Sequence, residues 1–93
     1  MNLRAYLYTM AVHFTIDFNG STVKVSGGHG HEYWELIFED GTRDLLDPGG
    51  DGWVFVDDEL KDLDDAEIIL RNAEANLLGQ LLIKKAAALN LDY

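Results

Sequence analysis

Cysteine is missing from this 93-residue chain, and proline occurs once. Without cysteine there can be no disulfide framework, thiolate zinc site or cysteine nucleophile, and a reducing compartment is compatible. A chain of this length can still bury one modest core without such staples, so residues 1–93 are expected to form a single domain. Bases are also scarce: seven Lys and Arg stand against 17 Asp and Glu, for a formal charge of −10. A small surface so charged repels polyanions, which argues against direct binding to DNA, RNA or anionic lipid. No stretch approaches the roughly 20 apolar residues needed to span a bilayer. The start, "MNLRAYLYTM", lacks the apolar run of a signal peptide, so the expectation is a soluble, cytoplasmic protein.

What is present begins with alternation. In "AVHFTIDF", Val12, Phe14, Ile16 and Phe18 lie on one side and His13, Thr15 and Asp17 on the other, the period of a half-buried strand. Asn19-Gly20 follows as a tight hairpin turn, and "TVKVS" returns. Leu3, Ala5 and Leu7 alternate upstream, extending the first strand toward the terminus with a bend near Thr9-Met10. Residues 32–39, "EYWELIFE", place Trp34, Leu36 and Phe38 on one face and Tyr33, Glu35, Ile37 and Glu39 on the other. Asp40-Gly41 then turns the chain into "TRDLL". The segment "DPGGDG" reads as a loop, and "WVFV" as a last short strand.

After Val56 the pattern changes to a helix over about 65–89. Asp64 and Glu67 have the spacing of a capping box, and Lys84 and Lys85 sit where the helix dipole favours cations. The expected fold is therefore α+β: a four- to five-stranded antiparallel meander with one long C-terminal helix on a face. The helix carries two apolar stripes. Ala66, Ile69, Leu70, Ala73, Leu77 and Leu81 form the one assigned to the sheet; Ile68, Ala75, Leu78, Leu82 and Leu89 form a second, which either the first strand or a loop folds over or another chain meets in a homodimer. Gly79, beside the second stripe, costs roughly 1 kcal/mol in a helix interior and suggests close approach of a neighbouring backbone.

His29, His31 and Glu35 resemble the core of the first cupin motif, and Pro48-Gly49-Gly50 resembles part of the second. That resemblance implies a small metal-dependent enzyme. The chain departs from the pattern at Val23, where that family has glycine, at Gly41, which comes one residue early, and at Trp53, which stands in place of a metal-binding histidine. A first-row metal usually needs three or four well-held ligands, so a polar turn is the plainer reading and neither metal nor cofactor is expected. "DPGGDGW" lacks the ligand pattern of an EF-hand loop. Ser21 and Ser26 sit in turn-like contexts without a nucleophile motif, and no phosphate-binding loop is present, so the chain is expected not to be an enzyme.

Seven acids crowd the eleven residues 57–67: Asp57, Asp58, Glu59, Asp62, Asp64, Asp65 and Glu67. Some cap the helix; the others are either merely solvated or imitate a row of phosphates for a basic groove. The candidate partner-binding residues are Asp57, Asp58, Glu59, Asp62 and Asp65, with Tyr33 and Glu35 on the exposed sheet face. In size, charge and lack of cysteine the chain resembles the small acidic anti-defence inhibitors that phages encode, notably anti-CRISPR proteins. The resemblance implies a protein that inhibits a basic partner such as a CRISPR effector complex or nuclease in the host cytoplasm. An immunity protein or antitoxin against a basic toxin would have similar features, and a structural subunit is a third possibility.

Overall fold

The computed structural model describes residues 11–49, 52–56 and 63–93. The upstream extension at residues 3–8 and the acids Asp57, Asp58, Glu59 and Asp62 lie outside the described residues. Five strands, β1 (Val12–Phe18), β2 (Ser21–Gly27), β3 (Trp34–Ile37), β4 (Arg43–Gly49) and β5 (Gly52–Phe55), precede one long helix, α1 (Asp65–Ala88). The strands form a single antiparallel sheet in sequence order, the meander expected from the turn signals. No helix among the described residues is long and apolar enough to cross a membrane.

The first turn explains the register of the first hairpin. Asn19 and Gly20 both adopt positive φ, 52° and 79°, whose twist matches that of the flanking strands. Phe18 therefore pairs with Ser21, Ile16 with Val23 and Phe14 with Val25, which puts the apolar set of both strands on one face. β3 is shorter than the alternation suggested, but its faces are as expected: Trp34 and Leu36 are buried, and Glu35 and Ile37 lie on the opposite face.

β4 departs from expectation by running through Asp47-Pro48-Gly49, so the loop is shorter than "DPGGDG". Pro48 pairs with Trp53, and the Trp53 N–H donates to Asn76 Oδ1 on the helix at 3.0 Å. With that donor turned away from β4, the missing Pro48 N–H costs no ladder bond at this pair. Asn76 also satisfies part of an open edge that would otherwise invite another strand.

The helix starts where expected, with Asp64 Oδ1 accepting from the Glu67 N–H at 2.8 Å. It ends in a Schellman motif. Asn90 takes positive φ, its N–H donates to Ala87 O, and the Leu91 N–H reaches back to Ala86 O at 3.0 Å. Leu91 packs on the core, and Tyr93 sets its ring edge-on to Trp34 at 5.5 Å.

The two helix stripes are the reverse of the sequence expectation. Ala75, Leu78 and Leu82, proposed as a contact for another chain, are fully buried against the sheet together with Ala86. Ile68 is half-buried, and Leu89 is the exposed C-cap residue. Most of the stripe assigned to the sheet points to solvent instead: Ile69 is 67% exposed, Leu70 70% and Leu77 48%, whereas Leu81, its last member, packs on the core as expected. The physical reason is the shape of the sheet face, where Phe14, Trp34, Phe55 and Trp53 present large rings. Ala75, Gly79 and Ala86 make room for them, and the bulkier stripe would hold the helix off. At Gly79 a Cβ would fall within the Trp53 ring, so an indole rather than a backbone makes the close approach.

A candidate protein-binding cleft

Among the described residues no polar or charged side chain is buried, so the groups they offer for binding lie at the surface. The β1–β2 and β3–β4 turns lie at the same end of the sheet. Between them and the helix opens a cleft of about 520 Å³, lined by Phe18, Asn19, Ser21, Phe38, Glu39, Asp40, Thr42, Asp44 and Glu74. Phe18 and Phe38 are half-buried against the core and give the cleft an apolar element. Four carboxylates and no Lys or Arg complete the wall.

Three of the carboxylates are held by bonds that follow from the fold. Glu39 Oε1 accepts from the Thr22 N–H at 2.8 Å, linking the two turns. Asp40 Oδ1 accepts from both the Thr42 N–H, at 2.9 Å, and the Thr42 hydroxyl, at 2.6 Å. These bonds favour the charged form and lower the Asp40 pKa, although its position is fully solvated. Asp44 faces the helix because it pairs with Leu36 on the inner side of the sheet. There Arg71 lies 3.5 Å from it while its guanidinium stacks 3.8 Å from the centre of the Phe55 ring. Glu74 comes from α1, three residues beyond Arg71.

Of the partner-binding residues singled out in the sequence, the three described ones divide between the two sides of the sheet, with Tyr33 and Glu35 together and Asp65 apart. Asp65 stands in the first turn of α1, on the helix side of the sheet. Glu35 is on the opposite face, in a 2.7 Å ion pair with Arg43. Tyr33 borders a shallow 360 Å³ depression on that side with Glu35, His31, Glu32 and Arg43. Its phenol pKa is raised, chiefly by a hydrogen bond to Glu32 and then by that carboxylate's charge. Lys24, Arg43 and His13 mix with Glu35 on this outer face, so it does not present one sign of charge.

His29 and His31 occupy the β2–β3 turn. His29 has positive φ, its N–H donates to Tyr93 O at 3.3 Å, and the His31 N–H donates to Gly28 O at 3.1 Å. Both side chains are exposed, and no group of three or more His, Asp or Glu among the described residues is placed to hold a metal ion.

Glu39, Asp40, Asp44 and Glu74 were not singled out in the sequence. The "EDG" turn was visible there, but its meeting with Glu74 depends on which face the helix turns inward. Comparison with known protein families, curated proteins and solved structures finds no match for this chain.

Proposed function

We propose that this chain is a non-catalytic acidic protein that binds and blocks a basic, nucleic-acid-handling protein in the cytoplasm of a bacterial host. The observation that carries the reading is the cleft, where Glu39, Asp40, Asp44 and Glu74 surround Phe18 and Phe38. Such a surface suits a lysine or arginine side chain: the carboxylates meet its charge and the rings its aliphatic stem. The chain charge of −10 supports the same reading, because complementary fields speed encounter and penalise wrong partners. A partner evolved to grip phosphates, such as a CRISPR effector complex or a nuclease, has the required chemistry, and the basic toxin of an immunity pair has it too.

The test is affinity capture from a bacterial lysate, followed by binding measurements on the captured partner at low and high salt. Glu39→Gln with Glu74→Gln should slow association and weaken binding, by on the order of 2–5 kcal/mol if the pair is desolvated in the complex. Binding by the parent chain should also weaken with salt. A captured partner that is not basic, or whose affinity ignores both salt and these substitutions, contradicts the proposal.

A further inference from the structure

The outer stripe of α1 is the largest apolar feature left uncovered on the helix. Ile69, Leu70 and Leu77 are exposed, with Ala66 and Ala73 exposed between them, and all lie on the side opposite the sheet. At 100° per residue they form one band about three turns long, and Gln80 and Lys84 continue the same line. Charge along the helix is divided by end: exposed Asp64, Asp65 and Glu67 at the start, exposed Lys84 and Lys85 near the finish.

We propose that this stripe is the docking surface for a second copy of the chain, packed antiparallel. The division of charge selects both the occupant and the direction. A parallel pair would set acids beside acids and lysines beside lysines. An antiparallel pair, with its twofold axis passing between Ala73 and Leu77, places Ala73 of one copy against Leu77 of the other. Asp65 and Glu67 of each chain then lie along Lys84 and Lys85 of its mate. In the same register Ala66 lies opposite Lys84 and Leu70 opposite Gln80, so a small residue meets a long one at Ala73 and at Ala66 while Leu70 packs on the stem of Gln80. The overall repulsion between two acidic chains is screened over about 8 Å at physiological ionic strength, so the charges at the contact dominate. The two copies of Glu74 flank the seam near the axis and limit its strength. Both sheets stay on the outside, and the two acidic clefts, each walled in part by Glu74, open beside the seam, so the dimer would offer two clefts to a partner. The dimer does not depend on what the clefts bind.

Sedimentation equilibrium of the full chain over a wide concentration range tests the proposal, with far-ultraviolet circular dichroism as the folding control. The expected result is a reversible dimer whose Kd rises about tenfold or more in Leu70→Gln with Leu77→Gln, both at exposed positions. Lys84→Glu with Lys85→Glu should dissociate it, and so should Asp65→Lys with Glu67→Lys. Mixing those two charge variants should restore a dimer, because each end of the mixed pair is again complementary. If Asp65→Lys with Glu67→Lys does not fold, Asp65→Asn with Glu67→Gln keeps the acidic end testable and should raise Kd. A chain that stays monomeric at every concentration overturns the proposal, whether residues 1–10 or a foreign protein covers the stripe. A dimer indifferent to the leucine substitutions or to the charge substitutions overturns it as well.

Discussion

The two faces of α1 are both apolar, yet one is core and the other is surface. On the inner face Ala75, Leu78, Leu82 and Ala86 are fully buried; on the outer face Ile69 and Leu70 are about two-thirds exposed. Hydrophobicity does not separate them, because the outer face carries the larger side chains. Steric fit does: the inner face is stepped, with Ala75, Gly79 and Ala86 beside Leu78 and Leu82, and the sheet fills those steps with Trp53 and its neighbours. Apolar spacing can show that a helix has a buried side; alanines occur on both faces here, and it is Gly79, against the Trp53 ring, that marks which side is buried.

The largest effect should come from matched truncations. Leu78→Ala should destabilise the chain by about 2–5 kcal/mol, since it opens a cavity where no atom is now exposed. Leu70→Ala should shift stability by about 0.5 kcal/mol or less at concentrations where the chain is monomeric. Urea unfolding followed by circular dichroism gives both values, and equal losses would break the comparison.

Gly79→Ala sharpens it through the sign of the change. On a solvent-facing turn the substitution would stabilise the helix by roughly 1 kcal/mol. Here the new Cβ meets the Trp53 ring, and overpacking should turn the gain into a loss of about 1–3 kcal/mol. A more stable Gly79→Ala variant in thermal unfolding would mean that Trp53 does not lie on this turn.

Asp64→Ala affects both faces alike, because the cap stabilises the helix whichever side is inward. It should cost about 1 kcal/mol by urea unfolding, with the bond to the Glu67 N–H lost. The smallest change is expected from Asp40→Asn, which touches neither helix face. The folded pKa of Asp40 lies below its ordinary value of 3.8, held there by Thr42. Its contribution to stability is therefore present above the ordinary value and is lost as pH falls through the folded value. Asp40→Asn can keep the hydrogen bonds to Thr42 but not that pH dependence, so its unfolding midpoint should fall less than the parent's as pH drops below 3.8. Identical pH profiles would show that the bonds do not favour the charged form.

Most of the fold was legible because its signals are local. Asn19-Gly20 fixes a turn, the alternation of β1 fixes a face, and Asp64 and Lys85 mark the helix ends; each acts within a few residues. Pro48 was read as a loop residue because its tolerance depends on Trp53 donating to Asn76, 23 positions away in sequence. The cleft was missed for a similar reason. Asp44 gains its place from the pairing of β4 with β3, and Glu74 from the helix turning its stepped side inward. The densest run of acids caught the eye, whereas the cleft gathers acids scattered over 36 positions, from Glu39 to Glu74.

The orientation of α1 underlies the core, the cleft and the outer stripe, and the absence of cysteine makes it directly measurable. Leu70→Cys and Leu78→Cys each introduce a single thiol, and its rate of modification by a small thiol reagent reports exposure of that side chain. At concentrations where the chain is monomeric, the thiol at position 70 should react at nearly the rate of an unfolded chain. The thiol at position 78 should react only as fast as the helix opens or the chain unfolds, slower by orders of magnitude. Comparable rates at the two positions, or faster reaction at position 78 in a folded variant, would contradict the orientation and everything built on it.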